Sequence, residues 1–429
     1  MAFQLYEIDP LDTLFFRDGR PFVAGEGAEA QSLFPPTPLT LQGLVRSLLL
    51  TERGQISGPR KQNGCGLWDT YRDGCRQGEK PTDKDCPHLG TGCDAQAVVG
   101  RLPRKEQGKV RGAPGSLTLR GPWIIIDGKV VLPAPMDVIV KTEDRKKQKR
   151  DPTLAIQTGI LAPTNKPVTS NMPGTLVPLD SPFGIDRFES VPGWILWERF
   201  AEYLVGTAPK LTRGIDWWEP DDVALVELRP GLVMDSQQNR AAQGYLYFAR
   251  HQRLERNVRL GVELDGTGSL SGHLTAFRAS PFGGERRAIE IKQASAPAPW
   301  PATCPPGVTG AIQSLGHAKL VFLQPAWFEG GWIPTGWDPS TGAAAGGASW
   351  VATRLERAER FGGWDLARGD QKPIRSFVPR GAVYYMKAGN PAAQATVLNY
   401  WNGCLTDTPH AEPFDYGALG VGHVFVGTW

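Results

Sequence analysis

The stretch FPPTPLTLQGLVRSLLL (residues 34–50) carries the clearest secondary-structure signal in the chain. Thr37 is placed to cap a helix, and Pro38 suits its first position, where a backbone amide proton is not needed. The apolar residues that follow share helical spacing and form one stripe: Leu41, Leu44, Val45, Leu48 and Leu49. The stretch therefore predicts a helix beginning after Thr37, with Gln42 and Arg46 on another face.

Strand patterns lie on both sides of this helix. Residues 3–8 alternate apolar and polar side chains, and residues 115–140 predict a hairpin that turns at Asp127-Gly128. A helix after Leu196 is predicted to end at Gly206. Further strands are predicted at 244–254, 274–279, 319–328 and 382–389. Strands and single helices without regular βαβ alternation indicate an α+β fold.

Length and composition set the class of protein. A chain of 429 residues, 41% hydrophobic, has room for two domains, predicted at 1–190 and 191–429 with a polar insertion at about 54–111. No apolar run approaches the roughly 20 residues of a membrane span. Residues 1–16 carry no basic segment ahead of an apolar stretch, as a signal peptide would, so a cytoplasmic protein is expected. A formal net charge of +3 excludes a general polycation, so any nucleic-acid site must be local.

Eight segments give a resemblance that covers most of the chain. In order they are PLDTLFFRDGRPF, FPPTPLTLQGLVRSLLL, GSLTLRGPW with LPAPMDV, GYLYFARHQRL, FGGERRA, LVFLQPAWFEGGWIP, VPRGAVYY and YGALGVGHVFVG, from Pro10 to Gly427. Together they resemble the third subunit of the type III-B CRISPR (Cmr) effector complex, a member of the RAMP superfamily. Eight matches in the family's order are specific, whereas one alone would mean little.

The resemblance implies a fold and a role. The fold is two ferredoxin-like (RRM-like, βαββαβ) RAMP domains with long loop insertions. The role is that of a non-catalytic subunit in antiviral defence, which binds the repeat-derived 5′ handle of the crRNA. The expected partners are the large signature subunit and the backbone RAMP subunit of a hetero-oligomeric complex.

The glycine-rich loop near the end of the chain is the first candidate RNA site. Gly417, Gly420 and Gly422 allow a phosphate to approach backbone amides closely, and Tyr416 or His423 is available to a nucleotide. Read alone, the same pattern is typical of a structural hairpin or bulge. The resemblance favours the RNA reading.

The turn FFRDGRPF and the helix after it form the second candidate site. Arg17 and Arg20 flank an Asp-Gly turn, and guanidinium groups suit phosphate oxygens. Hydroxyls of Thr37 and Thr40 lie at the helix start, with Arg46 and Ser47 on its less apolar side. The alternative is structural: Arg17 pairs with Asp18 to fix the turn, and Thr37 is only a cap.

Two further basic segments are candidates. Arg286 and Arg287 follow a glycine pair in FGGERRA and could line a groove, or else form a solvated turn. The run RKKQKR (residues 145–150) is predicted to lie in a mobile loop as a solvated face.

Four cysteines fall within the polar insertion: Cys65, Cys75, Cys86 and Cys93. Four thiolates can close a tetrahedral zinc site and order a segment too polar to fold alone. The usual C-x-x-C knuckles are missing, so free thiols or a disulfide remain alternatives. A structural zinc is the one cofactor considered, and none is required for chemistry.

Catalysis is the competing class of function. A metal-independent endoribonuclease that processes CRISPR RNA needs an acid and a base beside the scissile phosphate. None of the six histidines lies in a recognisable catalytic motif, and His423 alone adjoins the glycine-rich loop. A protein-only scaffold anchored by tryptophans is the third hypothesis, although most of the tryptophans are predicted to be core: Trp327, Trp332, Trp337, Trp194 and Trp197.

Overall fold

The computed structural model describes residues 3–18, 29–51, 98–99, 101–106, 109–113, 115–165, 174–235, 240–276, 279–365, 370–410, 412 and 415–429. Arg20 and the four cysteines of the insertion lie outside the described residues. The candidate RNA site comprises the start of the first long helix and the terminal glycine-rich loop. Both lie within the described residues.

The helices are short and scattered along the chain. In chain order they are α1 (Pro38–Thr51), α2 (Thr142–Arg150), α3 (Trp197–Leu204), α4 (Pro220–Val223), α5 (Pro306–Leu315) and α6 (Pro391–Leu398). Three 3-10 segments cover Gly268–Thr275, Gly284–Arg286 and Ala345–Gly347. None of the helices in the described part of the chain has the length and apolar character needed to cross a membrane.

Strands make up most of the regular structure. The first fourteen are β1 (Gln4–Pro10), β2 (Glu29–Ala30), β3 (Arg101–Glu106), β4 (Lys109–Ala113), β5 (Thr118–Ile126), β6 (Lys129–Pro133), β7 (Val138–Lys141), β8 (Ile156–Ile160), β9 (Ala162–Pro163), β10 (Leu179–Asp180), β11 (Phe188–Ser190), β12 (Trp194–Leu196), β13 (Lys210–Leu211) and β14 (Trp217–Trp218). The remainder are β15 (Ala224–Asp235), β16 (Arg240–Leu254), β17 (Val258–Asp265), β18 (Ser280–Phe282), β19 (Arg287–Gln293), β20 (His317–Phe322), β21 (Ser349–Arg354), β22 (Glu359–Phe361), β23 (Trp364–Asp365), β24 (Asp370–Gln371), β25 (Arg375–Phe377), β26 (Val383–Lys387), β27 (Gly403–Cys404) and β28 (His423–Gly427).

Two antiparallel sheets dominate. The larger has eight strands in the order β14-β12-β6-β5-β17-β1-β19-β18, and the second has five in the order β21-β26-β20-β28-β27. Strands from both sides of residue 190 share the larger sheet, so the boundary predicted there falls inside its strand order. The second sheet is built wholly from the last third of the chain. This mixture of sheets and separate helices confirms the α+β class.

The larger sheet is covered on both faces. On β5, Ile124 and Ile126 pack in the same core as the apolar stripe of α1, whereas Trp123 and Ile125 pack with residues of the second sheet. This follows from the strand period of two, which sends successive side chains to opposite faces. The α1 stripe is buried as predicted, and the tryptophans Trp194 and Trp337 are core residues.

Several local predictions are confirmed. Thr37 Oγ1 accepts a hydrogen bond of 3.1 Å from the amide of Thr40, so it does cap α1. Asp127 and Gly128 both have positive φ, at 49° and 75°, which is the hairpin turn expected between β5 and β6. The amide of Gly206 bonds the carbonyl of Tyr203 just beyond the end of α3.

Two predictions were wrong. Residues 268–275 form a 3-10 segment where a strand was predicted to begin at Leu274. The basic run 145–150 lies in helix α2 instead of a mobile loop. Arg145 is buried there, with ion pairs to Glu189 and Glu219 and with its guanidinium 4.8 Å from the Trp217 ring centre. These partners are distant in sequence, so the charge of the run does not reveal them.

A buried ionic cluster joins the β6–β7 connection and α3 to the second sheet. Asp137, between β6 and β7, accepts hydrogen bonds of 2.7 Å from the hydroxyls of Tyr203 and Tyr385. Lys319 of β20 places its ammonium nitrogen 3.7 Å from Asp137 Oδ2 and 3.5 Å from the centre of the Tyr203 ring. Burial lowers the pKa of Lys319 to about 8, although Asp137 opposes that shift. The cluster therefore holds two buried groups, Lys319 and Asp137, each of which favours the charged form of the other.

Candidate functional site

The terminal glycine-rich loop is fixed by hydrogen bonds to three separate segments. The carbonyl of Ala418 accepts a bond of 2.9 Å from the amide of Leu119 in β5. The amide of Gly422 donates to Pro325 at 2.7 Å, and its carbonyl accepts from Leu405 at 2.8 Å. Contacts within the protein therefore fix the conformation of the loop.

Two of its glycines are required by geometry. Gly420 and Gly422 have φ of 77° and 70°, a region that other L-residues rarely adopt. A Cβ on Gly420 would lie 2.7 Å from the carbonyl oxygen of Leu119, and one on Gly422 would lie 2.3 Å from that of Leu405. Gly417 differs, because a Cβ there would meet its nearest neighbour at 3.5 Å. The glycines at 420 and 422 thus let the loop pack tightly on protein.

The two side chains that were predicted to reach a nucleotide are buried. Tyr416 is 2% exposed and His423 is fully buried. His423 Nε2 lies 2.8 Å from Asn402 Oδ1, and burial lowers the pKa of the imidazole well below its usual value. Both residues support the loop from beneath, and their predicted contact with RNA stays a prediction.

The loop meets the beginning of α1 through a small apolar cluster. Tyr416 and Val421 are buried with Phe361 and Phe377, and Leu33 and Leu39 pack against them. Leu33 and Leu39 flank the cap of α1. The structure therefore brings the last turn of the chain beside the segment that leads into the first long helix.

That same segment is joined to the arginine turn. The amide of Leu33 bonds the carbonyl of Phe16 at 2.8 Å, and Arg17 forms a β-bridge with Ser32. Through this bridge, Arg17 is linked to the segment before α1, which contacts the terminal loop. Arg20 lies outside the described residues, so its role at the site stays a prediction.

The polar residues of α1 are largely occupied within the protein. Thr37 and Thr40 share a hydroxyl contact of 3.0 Å, and Ser47 Oγ donates to the carbonyl of Gly43 at 2.8 Å. Arg46, predicted on a less apolar side, is buried and donates to the carbonyl of Val99. Thr40 and Ser47 remain partly accessible, whereas Thr37 and Arg46 are buried.

FGGERRA forms a tight turn between β18 and β19. Glu285 and Arg286 both have positive φ, at 55° and 49°. Arg287 Nη2 donates to Glu285 at 2.5 Å, and Nη1 lies 3.6 Å from Asp12. Arg287 is thus held by carboxylates, and Arg286 lies within the turn at positive φ.

A buried polar network lies beneath the glycine-rich loop. Glu263 of β17 faces Arg120 of β5 across the strand pair and accepts a bond of 3.1 Å from the Trp123 indole. Arg120 donates to the carbonyl of Asn402 at 2.6 Å and stacks 3.8 Å above the Phe3 ring. The network connects the larger sheet to the residues that hold His423. No sequence motif marks it, since its members come from four separate segments.

Glu263 gives this network a pH dependence. Desolvation raises the pKa of Glu263 to about 7, although Arg120 opposes the shift. Since the folded-state pKa lies above the unfolded one, the stabilising contribution is complete below about pH 4.5 and is lost as pH rises through 7.

Glu263→Gln is therefore expected to flatten the fall in the free energy of unfolding between pH 5 and 8. The amide keeps an acceptor for Trp123 without a charge, and the variant gains on the wild type by up to about 3 kcal/mol at the alkaline end. Urea unfolding at pH 5, 7 and 8 measures the difference. Parallel pH profiles for the two proteins would contradict the assignment.

No metal site is evident in the part of the chain that the structure describes, where no three His, Cys, Asp or Glu side chains converge. The zinc predicted for Cys65, Cys75, Cys86 and Cys93 concerns residues outside that part and stays a prediction. Cys304 and Cys404 are free thiols, and burial raises the pKa of Cys404 to about 12.

Comparison with known proteins gives one family match and several structural likenesses. The chain matches the family model Cas_Cmr3, described as CRISPR-associated protein, over residues 6–429. A cryo-EM structure of type III-B Cmr-beta bound to cognate target RNA and AMPPnP has a chain that is 14% identical, with a TM-score of 0.43, coverage of 92% of this chain and 87% of that chain.

Two more structures show weaker or equal likeness. In Cmr-beta bound to cognate target RNA the match is 14% identical with a TM-score of 0.43, covering 89% and 86% of the two chains. In a Csm3–Csm4 subcomplex of the type III-A interference complex it is 10% identical with a TM-score of 0.31, covering 90% and 100%. No curated protein matches the chain.

Proposed function

Because the chain belongs to the CRISPR-associated Cas_Cmr3 family, we propose that it binds the repeat-derived 5′ handle of the crRNA and caps a type III-B effector complex. In this role it bridges the large signature subunit and the backbone RAMP subunit, and its two halves act as ferredoxin-like RAMP domains. The observation that carries the proposal is the packing of the terminal glycine-rich loop against the start of α1 through Leu33 and Leu39.

This packing supports a binding surface of fixed shape. The positions of the loop's backbone groups are set by Leu119, Pro325 and Leu405, and Arg17 is bridged to Ser32 in the segment before α1. Proteins recognise single-stranded RNA through backbone contacts, loop shape and splayed bases. Sequence choice in a guide complex is left to pairing between guide and target. A preformed surface is therefore what the proposed role requires.

The proposed role is non-catalytic. His423, the histidine that adjoins the loop, is fully buried, and burial holds its pKa well below the usual range. A general acid or base must reach the scissile phosphate directly or through one water. Incubation of the purified chain with repeat-containing RNA is expected to give a retarded complex and intact RNA. A discrete 5′-handle product would instead establish the endoribonuclease alternative.

Salt dependence tests the arginine turn. Replacing both Arg17 and Arg20 with alanine is expected to make the plot of log K against log salt concentration shallower by about 0.7 for each RNA phosphate that an arginine neutralises in the wild type. The measurement is a filter-binding titration with handle RNA at several salt concentrations.

A matched control removes the same charge from another surface. Lys146 and Lys147 on α2 are both more than half exposed, at 61% and 64%. Their double alanine variant is expected to leave the slope close to that of the wild type. Equal slopes for the two double variants would remove the arginine turn from the proposed site.

A further inference from the structure

A cavity of about 290 Å³ opens beside the glycine-rich loop. Its lining residues come from three segments: Trp327, Glu329, Arg375, Thr408, Pro409 and His410. Thr408 Oγ1 accepts a bond of 2.9 Å from the amide of Tyr416, the residue that opens the loop. Ligand sites begin at roughly 300 Å³, so the cavity suits one small planar group better than a longer ligand.

Trp327 is anchored at this cavity through its backbone, and its ring contacts two neighbouring side chains. The amide of Trp327 donates to Thr406 Oγ1 at 3.1 Å, and its carbonyl accepts from the amide of Asp407 at 2.8 Å. The ring meets Tyr416 edge to face at 6.4 Å and lies 5.5 Å from the guanidinium of Arg375. A fixed, half-buried aromatic ring is the usual platform for an unstacked base.

Arg375 brings a donor that lacks an acceptor. Its Nε is buried and has no hydrogen-bond partner among the residues that the structure describes. The other end of the guanidinium is engaged, since Nη2 lies 3.9 Å from Glu412. A buried donor without a partner is rare, so the guanidinium is incompletely satisfied where Arg375 lines the cavity.

The charges around the cavity favour a base over a phosphate. Glu329 lies on its wall, and Asp407 accepts from the amide of Glu329 at 3.0 Å. Asp415 accepts from Thr408 Oγ1 at 3.1 Å, which brings a third carboxylate nearby. Carboxylates repel a phosphate but accept hydrogen bonds from the exocyclic amino group of a base.

We propose that this cavity binds a single unstacked nucleobase of the RNA. The base stacks on Trp327, a ring carbonyl lies against the guanidinium of Arg375, and an exocyclic amino group donates to Glu329. The inference rests on the proposed function and adds to it, because it assigns one nucleotide to a pocket that none of the predicted RNA-binding residues lines.

The test uses the full chain and a set of handle RNAs, each with one abasic position. For the wild type, one abasic position is expected to weaken binding about tenfold, which corresponds to about 1.4 kcal/mol. In Trp327→Leu the same abasic position is expected to change affinity less than about twofold, because the stacking partner is already gone. Arg375→Gln serves as a second variant, with thermal unfolding as a check on both.

Trp332→Leu is the matched control. Trp332 is a partly buried tryptophan of the same segment that does not line the cavity. It is expected to keep the full abasic effect.

The outcomes separate the two proposals. If the handle binds but no abasic position couples to Trp327 or Arg375, the pocket is wrong and the proposed function stands. If the wild-type chain does not bind the handle, the proposed function itself fails. If Trp327→Leu loses a neighbouring subunit while handle affinity is unchanged, the cavity holds a protein side chain and the inference is overturned.

Discussion

Gly422→Val is expected to weaken handle binding by more than about thirtyfold and to lower the free energy of unfolding. A positive φ costs a non-glycine residue about 1–2 kcal/mol, and the added Cβ would also lie 2.3 Å from the carbonyl oxygen of Leu405. Since Gly422 accepts a bond from the amide of Leu405, relief of the clash must break that bond and move the loop. The weaker binding corresponds to about 2 kcal/mol of binding free energy.

The measurement pairs filter binding of handle RNA with thermal unfolding of the same preparations. Gly389→Ala is the control: Gly389 lies outside the proposed site, is not at positive φ, and a Cβ there would meet nothing within 4 Å. It is expected to bind and unfold like the wild type. A Gly422→Val protein that retains wild-type affinity would show that the loop's shape is irrelevant to the RNA.

Asp137→Ala is expected to destabilise the fold by about 3–5 kcal/mol, since it removes one partner of a buried ion pair. The substitution leaves the fully buried ammonium of Lys319 without its carboxylate partner and the hydroxyl of Tyr203 without its acceptor. Tyr385 keeps a second acceptor, the carbonyl of Leu161 at 2.8 Å. Urea unfolding measures the change.

Lys319→Met in the Asp137→Ala background is the control. Without the ammonium, no buried charge is left unpaired, and much of the stability is expected to return. Equal stability of the single and double variants would show that the charge of Lys319 has no part in the effect.

The pattern of the sequence was sufficient for elements whose cause is local. The stripe of α1, the cap at Thr37 and the Asp127-Gly128 turn each depend on a few neighbouring residues, and each is confirmed. The Asp137 cluster could not be predicted in this way, because Asp137 meets Tyr203 and Tyr385 across 66 and 248 residues of sequence. Arg145 shows the converse error. Its charge predicted a solvent-exposed side chain, whereas it is buried and paired with carboxylates that are distant in sequence.

The same distinction between local and long-range causes applies to the candidate site. The glycine-rich loop and its special positions were visible in the sequence because glycine alone tolerates their backbone geometry. The burial of Tyr416 and His423 was not visible, since it arises from Asn402, Phe377 and other residues on separate segments. The cavity at Trp327 was likewise not predictable, because its walls come from three separate segments of the chain.

The central claim is that the terminal loop and the segment before α1 form one surface for the 5′ handle. Photocrosslinking of a handle RNA in the guide-bound effector complex, with mapping of the attached peptides, tests it most directly. The account predicts crosslinks in both residues 415–423 and residues 29–40 from the same stretch of handle. Crosslinks confined to other subunits, or to parts of this chain remote from both segments, would contradict it.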